Sequence, residues 1–180
     1  MNLFCYTKPM NNEQQPMHAE ETVHIIDPSP EIMEKAESYM KMLREILSDA
    51  TITLIGSLAV PVCLKDEMDV LVEIEPDQDI ALVQEKIKKE SGEMFHIGPI
   101  KDGEEGFMRS KKKYGVRCEL HIIHKGDKRG DRYRELVSKL QSNPDLAQEY
   151  DAFKRSLNGL SLEAYKEEKL RFLRIHQLIK

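Results

Sequence analysis

Apolar residues recur at three- and four-residue intervals through Ile32, Ala36, Tyr39, Leu43, Ile46 and Leu47, the spacing of a helix that buries one face. Pro28 and Pro30 punctuate its entry, and the pattern predicts a helix to about Ser48, with Val23–Ile26 as a short extended segment before it. The period then shortens. Thr51–Ile55 is a β-branched run, and residues 68–74 form a second apolar strand after a short crossing at Ser57–Leu64. Ile80, Val83 and Ile87 mark an amphipathic helix that ends near Gly92. From Glu93 to Lys125 the pattern is extended, with Gly98, Gly103, Gly106 and Gly115 read as breaks between strands. The last third is helical. Asn143 caps a helix with Pro144 at its first position and Leu146, Tyr150, Phe153 and Leu157 along it. Asn158-Gly159 stops that helix and Ser161 opens another, whose apolar side is Leu162, Tyr165, Phe172, Leu173 and Ile179. These elements predict an α/β (α+β) fold: a mixed sheet with flanking helices and a helical C-terminal part.

Composition narrows the picture. Residues 1–20, rich in Asn, Gln, Glu and Pro, read as a flexible leader, leaving 21–180 as a single domain. No apolar run approaches the ~20 residues of a membrane span, and Met1–Glu20 lacks the basic start and apolar centre of a signal peptide. Three cysteines, Cys5, Cys63 and Cys118, make no C-x-x-C pair, which suits a reduced compartment. The expectation is a soluble cytoplasmic protein. A net charge of −5 argues against general nucleic-acid binding through phosphate neutralisation. The local exception is Arg109-Ser-Lys-Lys-Lys-Tyr114, continuing to Arg117. It reads as a solvated hairpin turn, or as a clamp in which Arg109 and one or two lysines hold a triphosphate.

The candidate chemistry lies where the first strand ends. Strand periodicity puts Glu67 and Asp69 on one face, Cα atoms roughly 6.6 Å apart, a separation at which two carboxylates can share a divalent ion such as Mg²⁺ or Mn²⁺. Glu73 is about 13 Å beyond Asp69 on the same face and is read as a rim or solvated residue. Gly56 lets the backbone approach a phosphate closely, and Ser57 supplies a hydroxyl donor. Arg117, Glu119 and His121 share one face of a later strand and Cys118, Leu120 and Ile122 the other. If that strand lies beside Glu67/Asp69, Glu119 completes an acidic cluster, Arg117 neutralises phosphate charge and His121 positions substrate or transfers a proton. His121 and His124 fall on opposite faces, so they are not a zinc pair.

Ile55-Gly56-Ser57, nine residues, then Glu67-Met68-Asp69-Val70 resembles the nucleotidyltransferase signature, with Glu67 where Asp is usual. More narrowly, the chain is similar to the GrpB family of nucleotidyltransferase-like proteins. The resemblance spans most of 22–178 through Ile25-Ile26-Asp27-Pro28, the Ile55–Pro61 segment, Lys65 four residues before Asp69, Asp69-Val70-Leu71-Val72, Leu120-His121 and Asn143–Tyr150 with Tyr165. Glu67 stands where the family is usually apolar, and Glu119 where it has the first residue of a His-Leu-His strand. The Tyr and Trp that flank the family's Asp-Pro are absent. The resemblance implies transfer of a nucleoside monophosphate from a nucleoside triphosphate to an unknown acceptor. Glu67, Asp69 and Glu119 would be the catalytic and metal-binding residues, and Gly56, Ser57, Lys65, Arg109, Arg117 and His121 would bind substrate. The alternative is a catalytically idle scaffold that binds a nucleotide or a protein partner.

Overall fold

The computed structural model describes residues 22–60, 62–112 and 116–179. The expected leader at 1–20, Cys5, Pro61, and Lys113, Tyr114 and Gly115 of the basic segment lie outside these. Strand β1 (Ile25–Ile26) leads into α1 (Pro30–Ile46), whose start is fixed by Pro30 and by the Ser29 hydroxyl accepting from the Ile32 amide at 3.3 Å. Strand β2 (Thr51–Ile55), one 3-10 turn (Gly56–Ala59), β3 (Leu64–Lys65) and β4 (Glu67–Ile74) follow. Next come α2 (Ile80–Glu90), β5 (Phe95–Lys101), β6 (Glu105–Ser110) and β7 (Arg117–His124). The chain closes with α3 (Lys128–Ser142), α4 (Pro144–Ser156) and α5 (Leu162–Ile175).

Five strands form one sheet in the order β2-β4-β7-β6-β5, with β4 and β7 parallel and every other pair antiparallel. Alternation sorts each strand's residues between two environments. Met68, Val70, Val72, Cys118, Leu120, Ile122, Met108 and Phe95 face α1 and α2 and form the main core with Tyr39, Leu43 and Ile87. The opposite face carries Ile55, Leu71 and Ile123, packed with Tyr133 of α3, and beside them the charged residues of β4, β6 and β7. A second apolar cluster joins Val60 and Val62 of the crossing to Leu140, Tyr150, Phe172 and Leu173, so α3, α4 and α5 are tied to the turn that follows β2.

Two sequence expectations are corrected here. Gly98 and Gly106 are not breaks but lie inside β5 and β6. A Cβ on Gly98 would fall 2.8 Å from the Phe107 carbonyl oxygen, so the close approach of β5 to β6 is what requires glycine there. Gly103 does occupy the connecting turn, with φ +72°. Glu73 is not solvated: it is 6% exposed and its carboxylate accepts from Arg134 at 2.7 Å, because α3 lies over that end of the sheet.

Candidate active site

Register places the expected residues in rows across the sheet's open face. Ile55, Asp69, Glu119, Arg109 and His96 stand side by side on β2, β4, β7, β6 and β5, and Leu71, His121 and Phe107 form the next row. Glu67 is opposite Arg117. The condition set by the sequence is therefore met: the Glu67/Asp69 strand and the Glu119 strand are neighbours, with paired Cα atoms on the order of 5 Å apart.

Gly56 and Asp69 interlock. Gly56 has φ +65°, and a Cβ built on it would lie 2.2 Å from Asp69 Oδ2. Glycine therefore serves both the left-handed backbone and the carboxylate packed against it. The next residue, Ser57, accepts a hydrogen bond from the ammonium of Lys154 on α4, which also donates to the Cys63 carbonyl. Lys154 is 0% exposed. Burial, reinforced by the charge of Lys169, pulls its pKa down to about 7. Because the Ser57 oxygen accepts from Lys154, its own O–H remains able to donate outward.

The carboxylates are each met by a cation. Glu119 takes Arg109 through Nε at 2.9 Å and Nη2 at 2.8 Å. Glu67 pairs with Lys65, and lies 3.8 Å from Arg109 and 4.0 Å from Arg117. Asp69, 30% exposed at its side chain, sits 3.7 Å from His121 Nε2. Burial pushes the Asp69 pKa up, but His121, Lys169 and Lys65 together hold it below the ordinary value. Lys112 pairs with Asp66, and Lys111 is exposed, in keeping with a solvated turn.

His121 has a second acid behind it. Its Nδ1 is 3.0 Å from Glu105 Oε1, which also accepts from the Tyr133 hydroxyl at 3.0 Å. Burial works against a charged imidazole, yet the Asp69 and Glu105 contacts and the Glu119 charge outweigh it and raise the His121 pKa to about 9. A ring protonated near neutrality can donate a proton but cannot accept one, so His121 in this state is suited to positioning or to giving up a proton and not to acting as a base.

Sequence reasoning missed Glu105, Tyr133, Lys154 and Lys169. Lys154 did leave a signal: α4 buries Ala147, Tyr150 and Lys154, so a lysine stands where a helical apolar stripe calls for a third apolar residue. Glu105 and Tyr133 left none, since only the tertiary fold brings them to His121.

Hard carboxylate oxygens beside a Gly-Ser turn have the donor chemistry of a Mg²⁺ or Mn²⁺ site. Among the described residues, however, no three His, Cys, Asp or Glu side chains converge as a ligand set. The present rotamers direct the acids to Lys65, Arg109 and His121 instead.

The family described as GrpB protein matches residues 22–177. The chain belongs to the GrpB family. A crystal structure of the conserved protein GrpB from Enterococcus faecalis aligns with a TM-score of 0.64 at 21% identity, covering 86% of this chain and 92% of that one. The GrpB fold is thus shared over nearly the whole length of both. A cytoplasmic RNA terminal U-transferase aligns at TM-score 0.45 and 20% identity over 65% of this chain and 37% of that one. The Cid1 terminal uridylyl transferase aligns at 0.49 and 18% over 66% and 39%. This GrpB protein spans less than half the length of either transferase. No match was found among curated protein sequences. Among the described residues no helix is long and apolar enough to cross a membrane.

Proposed function

We propose that this GrpB protein transfers a nucleoside monophosphate from a nucleoside triphosphate to a hydroxyl-bearing acceptor, with a divalent metal bound at Glu67, Asp69 and Glu119. The observation that carries the reading is the interlock of Gly56 with Asp69, with Glu119 in register on the adjoining parallel strand. It joins the Gly56-Ser57 turn to two carboxylates from different parts of the chain.

Mg²⁺ or Mn²⁺, when bound, would neutralise phosphate charge and lower the pKa of the attacking hydroxyl. The chain's own groups account for the rest. The Gly56-Ser57 backbone and the Ser57 hydroxyl hold the triphosphate, with Lys154 fixing the serine from behind. Lys65, Arg109 and Arg117 pair with Glu67 and Glu119; with those carboxylates holding a divalent cation, the three basic side chains would be available to phosphate oxygens. Glu119 accepts the acceptor's proton. The acceptor oxygen forms its bond to the α-phosphorus while the bond from that phosphorus to the β-bridging oxygen breaks, and the electron pair leaves with pyrophosphate. Rate comes mainly from positioning and charge compensation.

A second reading, a scaffold that binds nucleotide or a partner without turnover, is favoured by the pairing of all three carboxylates with protein cations. Calorimetric titration with ATP, GTP, CTP and UTP, with and without Mg²⁺ or Mn²⁺, tests the first, alongside Asp69→Asn and a pyrophosphate-release assay. Metal-dependent binding weakened at least tenfold in the variant, with pyrophosphate released in the wild type, is expected. Binding without release would favour the scaffold, and no binding of any nucleotide would remove both nucleotide readings.

A further inference from the structure

Beyond Glu119, on the side of the sheet away from the Gly56-Ser57 turn, the open face continues into a cavity of about 390 Å³ between the β5–β6 hairpin and α5. Its size falls within the range of small-molecule sites, roughly 300–1,000 Å³. Two features shape it. Pairing between β5 and β6 shifts register between Ile97 and Ile100, a bulge that bends the hairpin. Pro99, inside this edge strand, offers no amide for pairing with another chain, so the edge is suited to bounding a pocket rather than to extending the sheet.

The lining divides by chemistry. Phe107 gives an aromatic wall, with its ring edge on to His121 at 5.2 Å between centroids. Lys101 stands over the same ring at 4.5 Å, and Lys166 enters from α5. Among the described residues neither lysine has a carboxylate partner, whereas Arg109, also in the lining, is committed to Glu119. The cavity thus has the ammonium groups of Lys101 and Lys166 and an aromatic surface in its lining together with the Glu119 carboxylate.

We infer that this cavity is the acceptor subsite and takes a small hydroxylated anion, a phosphate monoester or a carboxylate. The anionic group would lie on Lys101 and Lys166, the carbon skeleton on Phe107, and the hydroxyl at Glu119. Charge complementarity selects this class: a cationic acceptor would meet two lysines, and a neutral one would leave both unused. This rests on the nucleotidyl-transfer reading for the word acceptor, but anion binding in the cavity is measurable without turnover.

The test uses glycerol 3-phosphate as probe and glycerol as the uncharged control, titrated into the whole protein and followed by backbone amide shifts, with the Lys101→Gln/Lys166→Gln double variant in parallel. Both side chains are exposed, so the variant keeps the fold. The expected result is saturable shifts at Phe107 and Lys101 with the phosphate ester and none with glycerol. The double variant should lose at least tenfold in affinity while its binding of Mg²⁺ with a nucleoside triphosphate stays within twofold of wild type. Absence of saturable shifts, equal affinity in the double variant, or shifts confined to Gly56 and Ser57 would overturn the subsite. Loss of nucleotide binding in the wild type would instead remove the nucleotidyl-transfer reading, leaving an anion pocket without that role.

Discussion

Gly56 is the residue at which backbone and chemistry are least separable. Alanine there would meet two penalties. Its left-handed φ of +65° costs a Cβ-bearing residue about 1–2 kcal/mol, and its Cβ would overlap an oxygen of Asp69 at 2.2 Å. Relief requires the carboxylate or the turn to move, so Gly56→Ala should destabilise the fold by about 3 kcal/mol in urea denaturation. A double-mutant cycle with Asp69→Ala separates the two penalties. If the carboxylate is the obstacle, Gly56→Ala should cost at least about 1 kcal/mol less in the Asp69→Ala background. Strict additivity would mean that only the φ angle matters and that Asp69 is free to swing away from the turn.

Helix α2 shows how local chemistry fixes an element that the core then uses. Asp79 precedes it, and its Oδ1 accepts from the Ala81 and Leu82 amides at 2.7 and 3.2 Å. The helix buries Ile80, Val83, Gln84 and Ile87 against the sheet. Asp79→Ala should cost about 1 kcal/mol, read as a lower urea midpoint with unchanged slope; no change would mean that packing alone sets the helix start. Elements of this kind were legible in the sequence because their signals are local: the periodicity of α1 and α2, the Asn143 and Ser161 caps, and the alternation that puts Glu67 with Asp69 and Arg117 with Glu119. The adjacency of β4 and β7 could be stated only as a condition, since strand order is decided by packing across the chain. Glu73 was misread for a related reason. Its distance from Asp69 was correctly judged, but its cover by Arg134 of α3 arises only when the last third folds back over the sheet. Glycine in β5 was taken as a break because the period cannot distinguish a turn from a place where two strands crowd together.

At the scale of the whole molecule, the buried cations of the two halves of the site oppose one another. Lys154 comes from the C-terminal helices, and its neighbours are Lys169, Cys63, Asp69 and Asp151. Its pKa is about 7 in the folded protein against an ordinary 10.5, so between those values the unfolded chain holds the extra proton. Its contribution to stability therefore rises as pH climbs above 7. His121 belongs to the sheet and faces Asp69, Glu105 and Glu119. Its folded pKa is about 9 against 6.5, so its contribution is complete below pH 6.5 and is lost as pH rises through 9. Between pH 7 and 8.5 the folded protein gains one proton at His121 and lacks one at Lys154 relative to the unfolded chain. The metal-free wild type should then show nearly flat stability. Removing either partner exposes the other's slope. Lys154→Met should lose about 2 kcal/mol between pH 6.5 and 8.5 relative to its own value at the acid end, and His121→Gln should gain about 2 kcal/mol between pH 7 and 8.5. Urea denaturation in a chelator at fixed ionic strength measures both, and staying at or below pH 8.5 keeps Cys63, whose thiol burial pushes up to about 11, mostly protonated in both states. Parallel stability profiles for the two variants and wild type would mean that neither side chain carries its charge as the burial and contacts here require. Opposite slopes would establish that the helical part and the sheet balance each other's protons across this site.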